Sequence, residues 1–137
     1  MEKTVAIFLH MQDDQPGYIS DYLSKNNISH KLVRLFNGDQ IPDINEVCGL
    51  VFMGGTMSVN DGLDWLNEEI ALIKEAVKRN IPILGHCLGG QLISVALGAK
   101  VISNPHEEIG WHYCSKETNE ASNCLLYTSP SPRDRNV

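Results

Sequence analysis

Apolar residues fall along the chain in short blocks separated by polar breaks, and the blocks alternate between two periodicities. Residues 4–11 open with Val5-Ala6-Ile7-Phe8-Leu9, an unbroken apolar run of strand length rich in β-branched and aromatic side chains. Such a run without alternation predicts a strand buried on both faces. Pro16-Gly17 marks a turn, and Ile19, Tyr22 and Leu23 then recur at helical spacing, predicting a helix over 18–25 that ends at Asn26-Asn27. Residues 30–36 predict a second strand closed by Asn37-Gly38-Asp39, and residues 49–53 a third that runs into Gly54-Gly55. The longest helix is predicted from 63 or 65 to 79, with Leu66, Ile70, Ile73 and Val77 as one apolar stripe and Glu68, Lys74 and Lys78 outward. Asn80 and Pro82 stop it, a fourth strand follows over 81–85, and another helix over 90–97 ends at Gly98. Short strands are expected at 100–103 and 109–113.

Strands alternating with helices predict an α/β fold: a doubly wound, mostly parallel sheet with helices on both faces. From about Ser115 the pattern disappears. Residues 116–120 are polar, and 124–135 place Pro130 and Pro132 between serines, which excludes a continuing helix or central strand. The expected division is a domain over 1–114 and a polar, low-complexity tail over 115–137. Its last part, 124–137, resembles translated sequencing-adaptor read-through and is expected to be non-native sequence.

Composition narrows the function classes. Hydrophobic residues make up 42 % and charged residues 20 % of the 137, a globular balance, and the net charge is −6. An acidic chain without a basic stripe is a poor partner for nucleic acid. No apolar run approaches the roughly 20 residues that span a bilayer, so no membrane partner is expected. Cys48, Cys87, Cys114 and Cys124 form no CxxC pair, no metal-ligand spacing occurs, and a reducing, cytoplasmic setting without a cofactor is the expectation.

One segment carries chemistry. In Ile83-Leu84-Gly85-His86-Cys87-Leu88-Gly89-Gly90-Gln91 a predicted strand enters Gly-x-Cys-x-Gly and a helix begins at once. This is the strand–turn–helix setting of a nucleophile elbow with Cys in place of Ser. Gly85 and Gly89 give the room so sharp a turn requires. Cys87 then stands at the C-terminal edge of the sheet, where the new helix's N–H groups favour the thiolate. At this chain's Gly and Cys frequencies the pattern would arise by chance roughly 0.03 times. The competing reading is a buried structural cysteine beside packing glycines. Gly54-Gly55, at the preceding strand end, could face the elbow, and the amides of Gly55 and Leu88 are candidate oxyanion donors.

The segments Phe52-Met53-Gly54-Gly55, Pro82 to Ile93 and Glu108-Ile109-Gly110-Trp111 resemble class I glutamine amidotransferase domains, and most nearly the stand-alone group similar to the amidotransferase half of GMP synthase. Gly38-Asp39-Gln40-Ile41-Pro42 fits that group as well. The resemblance covers about residues 4–113 and implies a flavodoxin-like fold, incomplete at the C-terminus. It implies that Cys87 attacks the side-chain carboxamide of glutamine, that the Gly55 and Leu88 amides hold the oxyanion, and that ammonia leaves a γ-glutamyl thioester for water to clear. Gly54, Gly55 and Gln91 match positions that hold the substrate, though Gln91 can equally be a polar residue of a helix's first turn. The ammonia acceptor or synthetase partner is left open. The family's base is a His oriented by a Glu two residues later, both beyond every segment quoted. His106, followed by Glu107 and Glu108, comes too early, and His112 has no acidic residue two positions on. His86 is a poor partner for its neighbour, since adjacent side chains on an elbow diverge, and His10 and His30 are expected to be packing or rim residues. The expectation is an N-terminal portion that holds the nucleophile but is catalytically incomplete. Two other functions fit the elbow: a hydrolase of γ-glutamyl peptides or amides, and a redox-sensing or binding domain without turnover.

Overall fold

A computed structural model describes residues 2–106, 109–113 and 115. Among these residues four strands and three α-helices form in the order β1 (Thr4–Phe8), α1 (Tyr18–Lys25), β2 (His30–Val33), β3 (Val47–Phe52), α2 (Asp64–Lys78), β4 (Ile83–Gly85) and α3 (Leu88–Ala96). The strands make one sheet in the order β2-β1-β3-β4, every pair parallel. The chain leaves the central β1 for β2 on one side and then crosses to β3 on the other. In such open sheets ligands bind in the crevice beyond the strands' C-terminal ends where this reversal occurs, here between β1 and β3.

Both faces of the sheet are covered because both faces of its strands are apolar. Ala6, Phe8, Leu50 and Phe52 pack with Leu66, Leu72, Ile73 and Ala76 of α2 and with Leu88 and Leu92 of α3. Ile7, Leu9 and Val51 point the other way and meet Ile19 and Leu23 of α1. Phe8 and Phe52 sit opposite each other in register with rings 4.6 Å apart and stacked, a contact worth about 0.5–1.5 kcal/mol beyond its buried area. The doubly wound α/β fold expected from the pattern is the fold observed.

Several boundaries shift for identifiable reasons. The helix over 18–25 forms as anticipated. The first strand stops at Phe8, and the second stops at Val33, because Leu35–Asn37 turns as a short 3-10 segment closed by left-handed Gly38. The last helix starts at Leu88 rather than 90, directly after the elbow. The buried face of α2 is Leu66, Glu69, Leu72, Ile73 and Ala76, whereas Val77 is 43 % exposed. The stripe is rotated toward Leu72 and Ala76, and it carries one carboxylate, Glu69, in an interior position. The strands expected at 100–103 and 109–113 do not form; the backbone there pairs with no strand among the described residues. One compact unit ends at Ile102. Within the described residues beyond it, Ile109, Trp111 and Tyr113 are largely exposed, which explains why an apolar spacing alone produced no strand. The tail assigned to 115–137 lies, apart from Ser115, outside the described residues.

Among the described residues no helix is long and apolar enough to cross a membrane.

Candidate active site

Strand β4 ends at Gly85, and the chain reverses through His86 and Cys87 into α3. Two backbone hydrogen bonds pin this turn: the His86 N–H donates to Phe52 O at 2.9 Å, and the Gly89 N–H donates to His86 O at 3.0 Å. The first ties the elbow to β3, and the second closes the turn on itself. Among the described residues three non-glycine residues have positive φ: Asn27, Asn80 and Cys87. The two asparagines follow helix ends, where such a conformation is common. Cys87 has φ 56° and ψ −110°, a combination outside the left-handed helical well that costs an L-residue about 1–3 kcal/mol. That cost is held in place by the packing around it.

The packing admits only glycine on both sides of the cysteine. A Cβ on Gly89 would lie 2.0 Å from Phe52 O, and one on Gly85 would lie 2.6 Å from the Gly89 carbonyl. Strand, elbow and helix therefore approach backbone to backbone, which is what sets the position of Cys87. The side chain of Cys87 is exposed, as that of a nucleophile must be and a structural core cysteine is not.

Beyond β3 the segment at Gly54 and Gly55 reaches the elbow from the neighbouring strand end. The Cβ position of Gly54 is 3.4 Å from Cys87 Cβ, and that of Gly55 is 3.3 Å from a Leu88 methyl and 3.2 Å from His10 Cβ. The chain then forms a 3-10 turn, Val59–Asp61, capped by Ser58, with Gly62 left-handed at its end. A capping box holds it: the Ser58 N–H donates to Asp61 Oδ2 at 2.9 Å and the Asn60 N–H to Ser58 Oγ at 3.1 Å. Gln91 joins this turn to α3, since its Oε1 accepts the Val59 N–H at 3.3 Å, and Asn60 Nδ2 donates to Val101 O at 2.8 Å. The structure thus brings Gly54, Gly55, Gly85, Cys87, Leu88, Gly89 and Gln91 together. Leu88 occupies the first position of α3, where helix geometry offers its N–H no intrahelical acceptor.

The histidines separate. His30 begins β2, at the opposite end of the sheet, where its ring lies 2.9 Å from Ser20 Oγ. His86 is exposed. His106 and His112 fall beyond the compact unit, with Glu107 and Glu108 outside the described residues. His10 is a buried packing residue two positions beyond the end of β1, but it also has a partner that the sequence did not disclose. Its Nε2 lies 2.7 Å from Glu69 Oε1, with both side chains fully buried. Burial pushes the Glu69 carboxyl above its usual range, and the hydrogen bond and charge of His10 offset part of that rise. Glu69 falls on the buried face of a helix that reads as amphipathic, so only a pairing rule, a lone acid at a core position facing a buried histidine, could have flagged it. Among the described residues no group of His, Cys, Asp and Glu is arranged to hold a metal ion.

Comparison with known proteins bears on the family and the fold. The family model described as glutamine amidotransferase class-I matches residues 16–134. A glutamine amidotransferase-like protein of Salmonella typhimurium is 37 % identical over 115 residues, covering 80 % of this chain and 48 % of that protein. A GMP synthase (glutamine-hydrolyzing) of Limosilactobacillus reuteri is 40 % identical over 83 residues, covering 61 % of this chain and 14 % of its own. Among solved structures, a glutamine amido transferase from Methylobacillus flagellatus superposes with a TM-score of 0.77 at 41 % identity, over 81 % of this chain and 45 % of that one. The chain spans about half the length of the amidotransferase-like relatives, or less of the synthases. A match over most of the chain, on a parallel sheet carrying a cysteine elbow, places it in a family: this chain belongs to the class-I glutamine amidotransferases.

Proposed function

We propose that the chain carries the nucleophile and oxyanion half of a glutamine-hydrolysing site. The observation that carries this reading is the backbone of Cys87, held at positive φ between two obligate glycines and beside Gly54. The Cys87 thiolate, at the N-terminal end of α3, attacks the carbonyl carbon of the glutamine carboxamide. The negative charge that develops on the carbonyl oxygen is taken by the N–H groups of Gly55 and Leu88. As the tetrahedral species collapses, the departing nitrogen takes up the proton that the thiol gave up, the C–N bond breaks, ammonia leaves, and a γ-glutamyl thioester remains for water to hydrolyse. Gly54, Gly55 and Gln91 line the substrate, with Gln91 also fixing the turn at Val59. The reaction uses no cofactor, and it fits a protein of the cytoplasm, where the thiol stays reduced. The relatives named as glutamine-hydrolysing GMP synthases suggest a synthetase partner as the acceptor of the ammonia.

Proton transfer is the part this sequence does not supply, because no His-x-Glu follows the segment at Trp111. The 137-residue chain should therefore acylate or alkylate at Cys87 but release ammonia from glutamine at a negligible rate. A chloroketone analogue of glutamine tests the first half: it should modify Cys87 and leave a Cys87→Ser variant unmodified. Modification that persists in Cys87→Ser, or none in the parent, contradicts the reading. Robust ammonia release by the purified chain contradicts the role assigned to the missing base.

A further inference from the structure

Beneath the segment at Gly54 and Gly55 lies a polar pair that the chemistry above leaves unused. Continuing the β1–β3 register past Phe8 and Phe52 brings His10 beside Gly54, and His10 Cβ lies 3.2 Å from the Cβ position of Gly55. From that point the ring extends to α2, where Glu69 Oε1 is 2.7 Å from Nε2 and the indole of Trp65 stacks at 5.9 Å. Trp65 in turn meets Phe36, from the turn after β2. The ring therefore cannot rotate without losing both Glu69 and Trp65. His10 Nδ1 and Glu69 Oε2 are buried without a hydrogen-bond partner among the described residues.

A pair of this kind is a poor way to stabilise a fold. Desolvating a carboxylate and an imidazole offsets most of their attraction, and apolar side chains of similar volume commonly do as well or better. What the pair supplies that two apolar side chains would not is a fixed orientation, since a hydrogen bond is directional and apolar contact is not. The place where that orientation matters is one contact away, at Gly55.

We propose that His10 and Glu69 are positioning residues: their hydrogen bond across β1 and α2 fixes the backbone of Gly54 and Gly55, and so aims the Gly55 amide at the oxyanion. Neither touches the substrate. This inference rests on the functional reading above, and the test separates the two.

The probes are the glutamine chloroketone, whose carbonyl oxygen occupies the oxyanion position while Cys87 displaces chloride, and iodoacetamide, which alkylates the same thiol with no such requirement. The variants are Glu69→Gln, which keeps a hydrogen bond to His10, and the apolar pair His10→Phe with Glu69→Leu. In the apolar pair the saturating rate of chloroketone modification should fall about tenfold or more, as expected for a misaimed oxyanion donor. The half-saturating concentration and the iodoacetamide rate should each stay within about twofold of the parent, because binding and thiol reactivity do not depend on that amide. Glu69→Gln should restore most of the chloroketone rate. If the apolar pair does not fold, His10→Asn, too short to reach Glu69, should show the same split. Equal changes with both probes, no change with either, or a Glu69→Gln as impaired as the apolar pair would overturn the assignment. A parent chain that takes iodoacetamide but not the chloroketone removes the functional reading and this inference with it; a labelled parent whose variants show no split removes the inference alone.

Discussion

Replacing Cys87 with glycine should make the chain more stable than replacing it with alanine, although at most other positions the order is reversed. Alanine keeps a Cβ and so keeps the cost of φ 56° and ψ −110°, about 1–3 kcal/mol for an L-residue. Glycine removes that cost but gives the unfolded chain more freedom, a loss of about 0.4–1 kcal/mol. The exposed thiol contributes little burial to lose, and glycine is acceptable at a helix N-cap. The difference should be about 0.5–2 kcal/mol in favour of glycine, which corresponds to roughly 2–8 °C in melting midpoint for a domain of this size. The assay is urea and thermal unfolding of Cys87→Gly, Cys87→Ala and the parent, with the urea slope required to be common to all three. A Cys87→Gly variant less stable than Cys87→Ala would show that the backbone at the elbow is relaxed, and would remove the geometric basis for treating Cys87 as a presented nucleophile.

Three further outcomes follow from the packing. Gly89→Ala sets a Cβ 2.0 Å from Phe52 O; backbone cannot yield as a side chain can, so the loss should reach about 3 kcal/mol or more, measured by urea unfolding. Gln91→Leu removes the acceptor of the Val59 N–H and should cost about 0.5–1.5 kcal/mol, with faster amide exchange confined to the turn at Val59–Asp61. The carboxyl of Glu69 is raised above 4.5, chiefly by burial, so its favourable contribution is present below that value and fades as pH rises through the raised folded value. Glu69→Gln, which cannot ionise, should therefore gain stability relative to the parent as pH increases from the acid range to neutrality; a constant difference in urea midpoint would contradict this.

The sequence disclosed what local physics decides and concealed what long-range pairing decides. The apolar runs at Val5 to Leu9 and Leu50 to Phe52 could only be buried strands, and the glycines around Cys87 could only serve a close approach, now visible as backbone contact between Gly85, Gly89 and Phe52. Glu69 was concealed because helical periodicity ranks positions by apolarity, and its partner lies 59 residues earlier. Gln91 stood out only through the resemblance, and its bond to Val59 depends on where a loop from another strand comes to rest. The spacing of Ile109, Trp111 and Tyr113 suggested a strand, yet these residues are largely exposed and belong to no strand among the described residues. Periodicity marks a strand only where a neighbouring strand is there to pair with it.

Cys87 and Cys48 are both exposed free thiols, and the second sits on β3 away from any elbow, so it is an internal control for the claim that Cys87 is presented to glutamine. The decisive measurement is peptide mapping of the 137-residue chain after treatment with iodoacetamide or with the glutamine chloroketone, each with and without excess free glutamine. Of these two cysteines, iodoacetamide should modify both. The chloroketone should modify Cys87 in strong preference to Cys48, and free glutamine should slow that reaction alone. Equal modification of the two cysteines by the chloroketone, or no protection by glutamine, would contradict a glutamine site at the elbow.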